Sequence, residues 1–189
     1  QYEVQQKFDL KIAFIDNLDS FSYNIIHAIQ SFGCEVDIID GRGPMVDFDH
    51  DAIIIGPGPG RPSISDVSMA AAKHAGPVLG ICLGHQAIGI TRGMELVESP
   101  LGPVHGTPST IIANGHGLLS EGKHTMCRYN SLVLSGKGEI DVSAWDETGT
   151  IPMEIVNGNT FGVQFHPESI GSKRGMEVLA NFLRRVAHC

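Results

Sequence analysis

The sequence of 189 residues lacks the features of several large classes of protein. It contains no apolar run near the ~20 residues that a membrane-spanning helix needs, and its polar start (residues 1–7) does not predict a signal peptide. Basic residues are few, because 13 Lys and Arg stand against 21 Asp and Glu, a formal net charge of −8. Nucleic acids and anionic membranes are bound through basic patches, so we expect neither as a partner.

Cysteine is scarce and shows no framework pattern. The four cysteines, at positions 34, 82, 127 and 189, include no CxxC pair. In a chain of this size that pattern predicts reduced thiols and a cytoplasmic setting. His105, His116 and His124 share no ligand spacing such as HxxxH, so we predict no metal site.

The first half of the chain alternates strand and helix signals. The predicted strands are residues 11–16, 35–40, 51–55 and 78–81, and the predicted helices are residues 19–32 and 66–74. The first helix has an apolar stripe that includes Phe21, Ile25 and Ile29. Continuous apolar strands separated by helices indicate a parallel sheet that is covered on both faces.

The second half has short strand-like runs linked by turns rich in Gly and Asn, followed by an amphipathic terminal helix. The runs are residues 109–113, 124–129, 140–145, 153–156 and 160–165, and the helix is residues 173–186. We therefore predict an α/β fold with a doubly wound, mostly parallel central sheet, helices on both faces and a small antiparallel extension. Residues 1–10 are predicted to be a polar extension and residues 11–189 a single domain.

The most informative segment is GICLGHQ, residues 80–86. A cysteine with glycine two residues to either side, at the end of an apolar strand, is typical of a nucleophile elbow. A thiol at such a turn lies close to the N-terminus of the following helix, whose free N–H groups favour the thiolate. Cys82 is therefore the candidate nucleophile.

The candidate base is His166 in the segment GVQFHPES, residues 162–169. Pro167 keeps this segment extended, and residues two apart in an extended segment point to the same side. His166 and Glu168 are thus expected to address one site, with the carboxylate orienting the imidazole. A surface turn is the alternative interpretation of His-Pro-Glu alone, and the elbow cysteine favours the triad.

Acyl transfer also requires N–H donors for a tetrahedral oxyanion. The N–H of Leu83, directly after the nucleophile, is one candidate. The loop GPGPGRP (residues 56–62) offers Gly58 and Gly60 as free donors between prolines, although a stiff strand-to-helix connection is an alternative interpretation. This loop does not match a phosphate-binding loop, because no Gly-Lys-Ser/Thr follows it.

Together, the elbow, the GPGPGRP loop and the GVQFHPES segment resemble the class I (triad-type) glutamine amidotransferases, and they occur in the order expected for that family. The resemblance extends over nearly the whole chain from about Lys11. Two further segments, DNLDSFSYN (residues 16–24) and RYNSL (residues 128–132), resemble the small subunits of anthranilate synthase and aminodeoxychorismate synthase.

The resemblance implies that Cys82 attacks the side-chain amide of L-glutamine, with His166 as acid and base and Glu168 as its orienter. It implies Gly58 and Leu83 as the oxyanion donors. The implied glutamine-binding residues are Gly58, Pro59, Gly60, Gln86, Ser131 and Leu132. The ammonia would pass to a chorismate-using synthase large subunit, so a heteromer is expected, and no cofactor is implied.

Two departures from the family pattern stand out. Asn130 lies where histidine is usual, and Thr107-Pro108 replaces a stretch that commonly contains lysine. Neither departure touches the triad, so an active enzyme is expected.

Several functions stay open at this level. The sequence does not separate anthranilate synthesis from aminodeoxychorismate synthesis, because the acceptor chemistry lies on the other subunit, and anthranilate synthesis is only slightly preferred. A partner-independent cysteine hydrolase acting on γ-glutamyl peptides is a second class, and Gln86 and the Ser131-Leu132 strip argue against it. A non-catalytic binding protein of the same fold is a third, and the presence of Cys82, His166 and Glu168 argues against that one.

Overall fold

A computed structural model describes residues 6–189 of the chain. The strands are β1 (Lys11–Asp16), β2 (Glu35–Asp40), β3 (Ala52–Ile55), β4 (Val78–Ile81), β5 (Glu95–Glu98), β6 (Val104–Ala113), β7 (Gly122–Asn130), β8 (Leu132–Ser135), β9 (Asp141–Asp146), β10 (Pro152–Asn157) and β11 (Thr160–Val163). The helices are α1 (Ser22–Ser31), α2 (Asp66–Ala71), α3 (Leu83–Thr91) and α4 (Gly175–Ala187). Within the described part of the chain, no helix is both long enough and apolar enough to cross a bilayer.

Nine strands form one sheet in the order β2-β1-β3-β4-β11-β10-β9-β6-β7. The pairings from β2 to β11 are parallel, and those from β11 to β7 are antiparallel. Strands β5 and β8 form a separate antiparallel pair. The predicted α/β fold, with a parallel central sheet and an antiparallel extension, is confirmed.

Helices cover both faces of the parallel half, and the alternation of side chains along β1 shows how. Ile12 and Phe14 are buried in a cluster that includes apolar residues of α1 and α4. Ala13 and Ile15 are buried in a second cluster, on the opposite face, with residues of α2 and α3. Both faces of the strand are therefore buried over residues 12–15, which is why these four positions are all apolar.

Some element boundaries differ from those predicted. Helix α1 begins at Ser22 because the Asp19 carboxylate accepts the Phe21 N–H at 2.8 Å in a turn before the helix. Helix α4 begins at Gly175 because Arg174 adopts a left-handed backbone conformation with φ 61°. The small β5–β8 sheet was not predicted, because its two strands pair across a long separation in sequence, which no local pattern reveals.

Of the predicted extension at residues 1–10, residues 1–5 lie outside the described residues. Phe8 is buried, its N–H donates to the Phe32 carbonyl at 2.7 Å, and the two rings lie 6.2 Å apart. This residue therefore packs with the domain although the sequence places it in the extension, because its ring covers the end of α1.

Candidate active site

The site lies where adjacent parallel strands of the sheet end. Strands β1, β3, β4 and β11 are neighbours, and their carboxyl ends lead into Asn17, the loop at 56–62, Cys82 and Gln164 respectively. Ligands of open α/β sheets bind at this edge, in the crevice outside the carboxyl ends of the strands. The predicted functional segments, far apart in sequence, are brought together for this reason.

Cys82 occupies a sharp turn between β4 and α3, with φ 54° and ψ −99°. The two flanking glycines permit this elbow because no side chain fits at either position. A Cβ at Gly80 would overlap the Gly84 carbonyl, and a Cβ at Gly84 would overlap the Ile55 carbonyl. The structure therefore shows the elbow expected from the sequence, with a buried thiol at the start of α3.

His166 and Glu168 form a buried pair beside this thiol. Nδ1 of His166 lies 2.6 Å from Oε1 of Glu168, and the side chains are 2% and 1% exposed. Burial opposes charge on the imidazole, but hydrogen bonding and charge from Cys82 and Glu168 outweigh it and raise the pKa of His166 to about 10. The geometry thus favours an imidazolium at neutral pH between the sulfur and the carboxylate.

The position of His166 is fixed by backbone contacts to β7. Its N–H donates to the Cys127 carbonyl at 2.9 Å. The Ser172 hydroxyl donates to the His166 carbonyl at 2.5 Å and accepts the Cys127 N–H at 2.9 Å. These contacts tie the segment after β11 to the antiparallel extension, and Ser172 was not identified from the sequence.

Two aromatic rings hold the imidazole from its sides. Tyr129 lies 5.1 Å and Phe21 lies 5.9 Å from the His166 ring, both edge to face. The prediction that Phe21 belongs to the buried stripe of α1 is wrong. Phe21 precedes the helix and its ring packs 5.3 Å from Tyr129, because the turn at Asp19 directs it toward the site.

Hydrogen bonds from the Asn17 side chain hold the loop after β3 in place. Its Nδ2 donates to the Gly56 carbonyl at 3.1 Å and to the Ser68 hydroxyl at 2.9 Å. A Cβ at Gly58 would overlap the Asn17 carbonyl oxygen, so only glycine fits there. Within residues 6–189 the Gly58 N–H has no acceptor, and the Leu83 N–H lies in the first turn of α3, which offers no intrahelical acceptor.

A pocket of about 220 Å³ opens above Cys82. It is lined by Gly58, Pro59, Gly60, Cys82, Gln86, His105, Tyr129, Asn130, Ser131 and Leu132. All six predicted glutamine-binding residues are therefore brought together around the nucleophile. Leu83, His166 and Glu168 do not line the pocket. His105, Tyr129 and Asn130 do, and sequence reasoning did not assign them to it.

A chain of side-chain amides runs along one wall of the pocket. Nε2 of Gln86 donates to the Leu132 carbonyl at 3.1 Å and to Oε1 of Gln164 at 3.3 Å. Nδ2 of Asn130 donates to the same Leu132 carbonyl at 3.1 Å. Gln164 was not predicted, although its position two residues before His166 on an extended segment indicates the same side.

His85, next to the pocket residue Gln86, is completely buried and has no charged partner among residues 6–189. In the described part of the chain neither ring nitrogen makes a hydrogen bond of ordinary geometry, although the imidazole lies against the backbone of Gly162. Burial lowers the pKa of His85 to about 4, and the Gly162 backbone offsets this only in part. The imidazole is therefore neutral in the folded protein at pH 7.

This burial predicts a loss of stability in acid. An unfolded histidine takes up a proton below about pH 6.5, whereas folded His85 does so only near pH 4, so the unfolded state gains protons first. The free energy of unfolding is expected to fall by up to about 3 kcal/mol through His85 between pH 6.5 and 4. Urea unfolding at both pH values should show a smaller fall for His85→Leu. The exposed control His116→Leu should behave as wild type, and an equal fall in all three would contradict this account.

The chain matches one protein family over nearly its whole length. The family model of class I glutamine amidotransferases matches residues 13–186. Anthranilate synthase component 2 of Cyanophora paradoxa is 35% identical, over 91% of this chain and 97% of that protein. Aminodeoxychorismate synthase component 2 of Escherichia coli K12 is 38% identical, over 92% of this chain and 100% of that protein.

Solved structures show the same fold at lower identity. A Thermoplasma acidophilum protein proposed to be part of a GMP synthase superposes with a TM-score of 0.83 at 19% identity, over 95% of both chains. A glutamine amidotransferase of Thermotoga maritima superposes with a TM-score of 0.71 at 14% identity, over 84% of this chain and 76% of that one.

Proposed function

The chain belongs to the class I glutamine amidotransferase family, and from that premise we propose that it hydrolyses L-glutamine and passes the ammonia to a chorismate-using synthase large subunit. One observation supports this function more strongly than any other does. A pocket floored by Cys82, with imidazolium His166 beside the thiol, is bounded by Gln86 and by the Ser131-Leu132 strip. The residues that line this pocket suit nucleophilic attack on a small polar amide.

The first half of the reaction forms a thioester. The Cys82 sulfur attacks the carboxamide carbon of glutamine, and the N–H groups of Gly58 and Leu83 stabilise the oxyanion. The His166 imidazolium then donates its proton to the nitrogen as the C–N bond breaks, which releases ammonia. Glu168 holds the Nδ1 side of the ring through the 2.6 Å hydrogen bond and stabilises the cation before this transfer.

The second half releases glutamate. Neutral His166 takes a proton from water as the oxygen attacks the thioester carbon, and the C–S bond breaks to return the thiolate. The imidazolium and the thiolate are thereby restored for the next cycle. The pocket residues Gln86, Ser131 and Leu132, with Gly58, Pro59 and Gly60 opposite, would hold the glutamine during both halves.

The acceptor subunit decides the pathway. Anthranilate synthase component II, in tryptophan biosynthesis, is the assignment we propose. Aminodeoxychorismate synthase component II, in p-aminobenzoate and folate biosynthesis, is a second candidate because relatives with both names match at 35% and 38% identity over nearly the whole chain. The protein would act as part of a heteromer, without a cofactor. A cytoplasmic setting is part of this proposal, and the four cysteines are all free.

Reconstitution with each synthase large subunit tests the proposal. Glutamine-dependent formation of anthranilate or aminodeoxychorismate is expected on mixing, with little glutaminase activity from the chain alone. The large subunit without this chain should use only ammonia. Strong hydrolysis of γ-glutamyl peptides by the chain alone, with no gain from either large subunit, would instead identify a partner-independent hydrolase.

A further inference from the structure

We propose that Gln164 is a positioning residue, whose side-chain amide donates a hydrogen bond to the Cys82 sulfur and holds it for attack. This role rests on the amidotransferase function proposed above. Gln164 directly follows β11 and is completely buried. Its Nε2 lies 3.6 Å from Sγ of Cys82, within reach of an N–H donor to sulfur.

The direction of this hydrogen bond is set by a carbonyl group across the pocket. The main-chain oxygen of Leu132 can only accept, so Gln86, whose Nε2 lies 3.1 Å away, must direct its NH₂ group to it. The same NH₂ group lies 3.3 Å from Oε1 of Gln164. Gln164 must therefore accept with its oxygen at that point, which leaves its NH₂ group facing the sulfur.

Neighbouring contacts keep this arrangement rigid. Asn130 also donates to the Leu132 oxygen, at 3.1 Å, so both lone pairs of that carbonyl are occupied. The Gln164 N–H donates to the Met153 carbonyl at 3.0 Å, and the Cys82 N–H donates to the Val163 carbonyl at 2.8 Å. The backbone of Gln164 is thus held to β10, and the elbow is held to Val163, the residue directly before Gln164. Asn130, which departs from the family pattern, contributes one of these contacts.

The effect of Gln164 on the reaction depends on the negative charge that the Cys82 sulfur carries as a thiolate. His166 stabilises a thiolate from one side, and Gln164 supplies a second donor from within the protein. A thiolate accepts such a hydrogen bond more strongly than the neutral sulfur of a thioester does. The donor therefore holds the sulfur in place for attack and favours it as the leaving group that ends the cycle.

Two substitutions separate this role from packing. Gln164→Glu keeps an oxygen for Gln86 but removes the donor and places a carboxylate beside the sulfur. Gln164→Met removes the donor without adding charge. Because Cys189 is exposed, both variants are made in a Cys189→Ser parent, and iodoacetamide labelling of the Cys82 peptide is followed by mass spectrometry. We expect labelling and kcat to fall about 10–100-fold in both variants. The KM for glutamine of Gln164→Glu should change less than about threefold, because the Gln86 contact is kept.

Gln30→Glu makes the same change on the exposed surface of α1 and should leave labelling and kcat as in the parent. Thermal unfolding gives the folded fraction of each variant. If the buried carboxylate prevents Gln164→Glu from folding, Gln164→Met alone tests the role of Gln164. Folded variants that label within about twofold of the parent rate would overturn the role of Gln164, since packing alone changes the amount of folded protein and not its reactivity. Labelling needs neither glutamine nor a synthase. A parent that labels normally but never uses glutamine therefore counts against the proposed function alone.

Discussion

Replacing Cys82 with serine is expected to abolish glutamine-dependent amination by the reconstituted complex while leaving ammonia-dependent amination by the synthase subunit intact. The hydroxyl is nearly the size of the thiol and fits the same buried elbow, but it is not ionised by the imidazolium of His166. We expect kcat for glutamine to fall at least about 10⁴-fold, as on removal of a nucleophile that acts as a unit with its base.

The measurement compares the product formed with glutamine and with ammonium salts. Cys189→Ser is the matched control, because it removes an exposed thiol by the same change, and it should keep both activities. Cys34 is not expected to replace Cys82 as the nucleophile, because burial and the nearby Asp51 raise the pKa of its thiol to about 11. Retention of glutamine-dependent activity in the Cys82→Ser variant would exclude Cys82 as the nucleophile.

Replacing Glu168 with glutamine is expected to produce the second-largest loss. The amide keeps the size of the side chain but removes the charge that helps raise the pKa of His166 to about 10. That pKa should then fall, so the decline of kcat/KM at alkaline pH should begin at a lower pH than in wild type. At neutral pH we expect kcat to drop at least about 100-fold, since the neutral amide also favours a wrong imidazole tautomer.

A profile of kcat/KM between about pH 6 and 11 measures both effects. Glu147→Gln, which changes an exposed carboxylate outside the pocket lining, is the control and should follow the wild-type profile. A Glu168→Gln variant with an unchanged alkaline limb would show that this carboxylate does not govern His166. A loss confined to KM would give it a role in binding glutamine.

The parallel half of the fold and the arrangement of Cys82, His166 and Glu168 could be predicted because their signals are local. The apolar strand β4 and the glycines around Cys82 lie within a few residues of one another, and the i, i+2 relation of His166 and Glu168 depends only on Pro167 keeping the chain extended. The structure places these residues together because the strands that carry them end at the same edge of the sheet.

The rest of the site depends on contacts that no local pattern carries. Gln86 meets Leu132 across 46 residues of sequence, and Gln164 meets Cys82 across 82. The packing of Phe21 and Tyr129 around His166 joins a turn of the parallel half to the edge strand β7. Positions of this kind are set by how the antiparallel extension folds back onto the elbow, so sequence periodicity does not reveal them.

Trapping with a glutamine-like diazo ketone tests the central claim most directly. The reagent occupies the glutamine site and alkylates the nucleophile, and peptide mass spectrometry identifies the modified residue. We predict one label per chain, on the peptide that contains Cys82, with its rate reduced by excess L-glutamine and with none in Cys82→Ser. A label on any other residue, or glutamine-dependent amination that persists without labelling of Cys82, would contradict this mechanism.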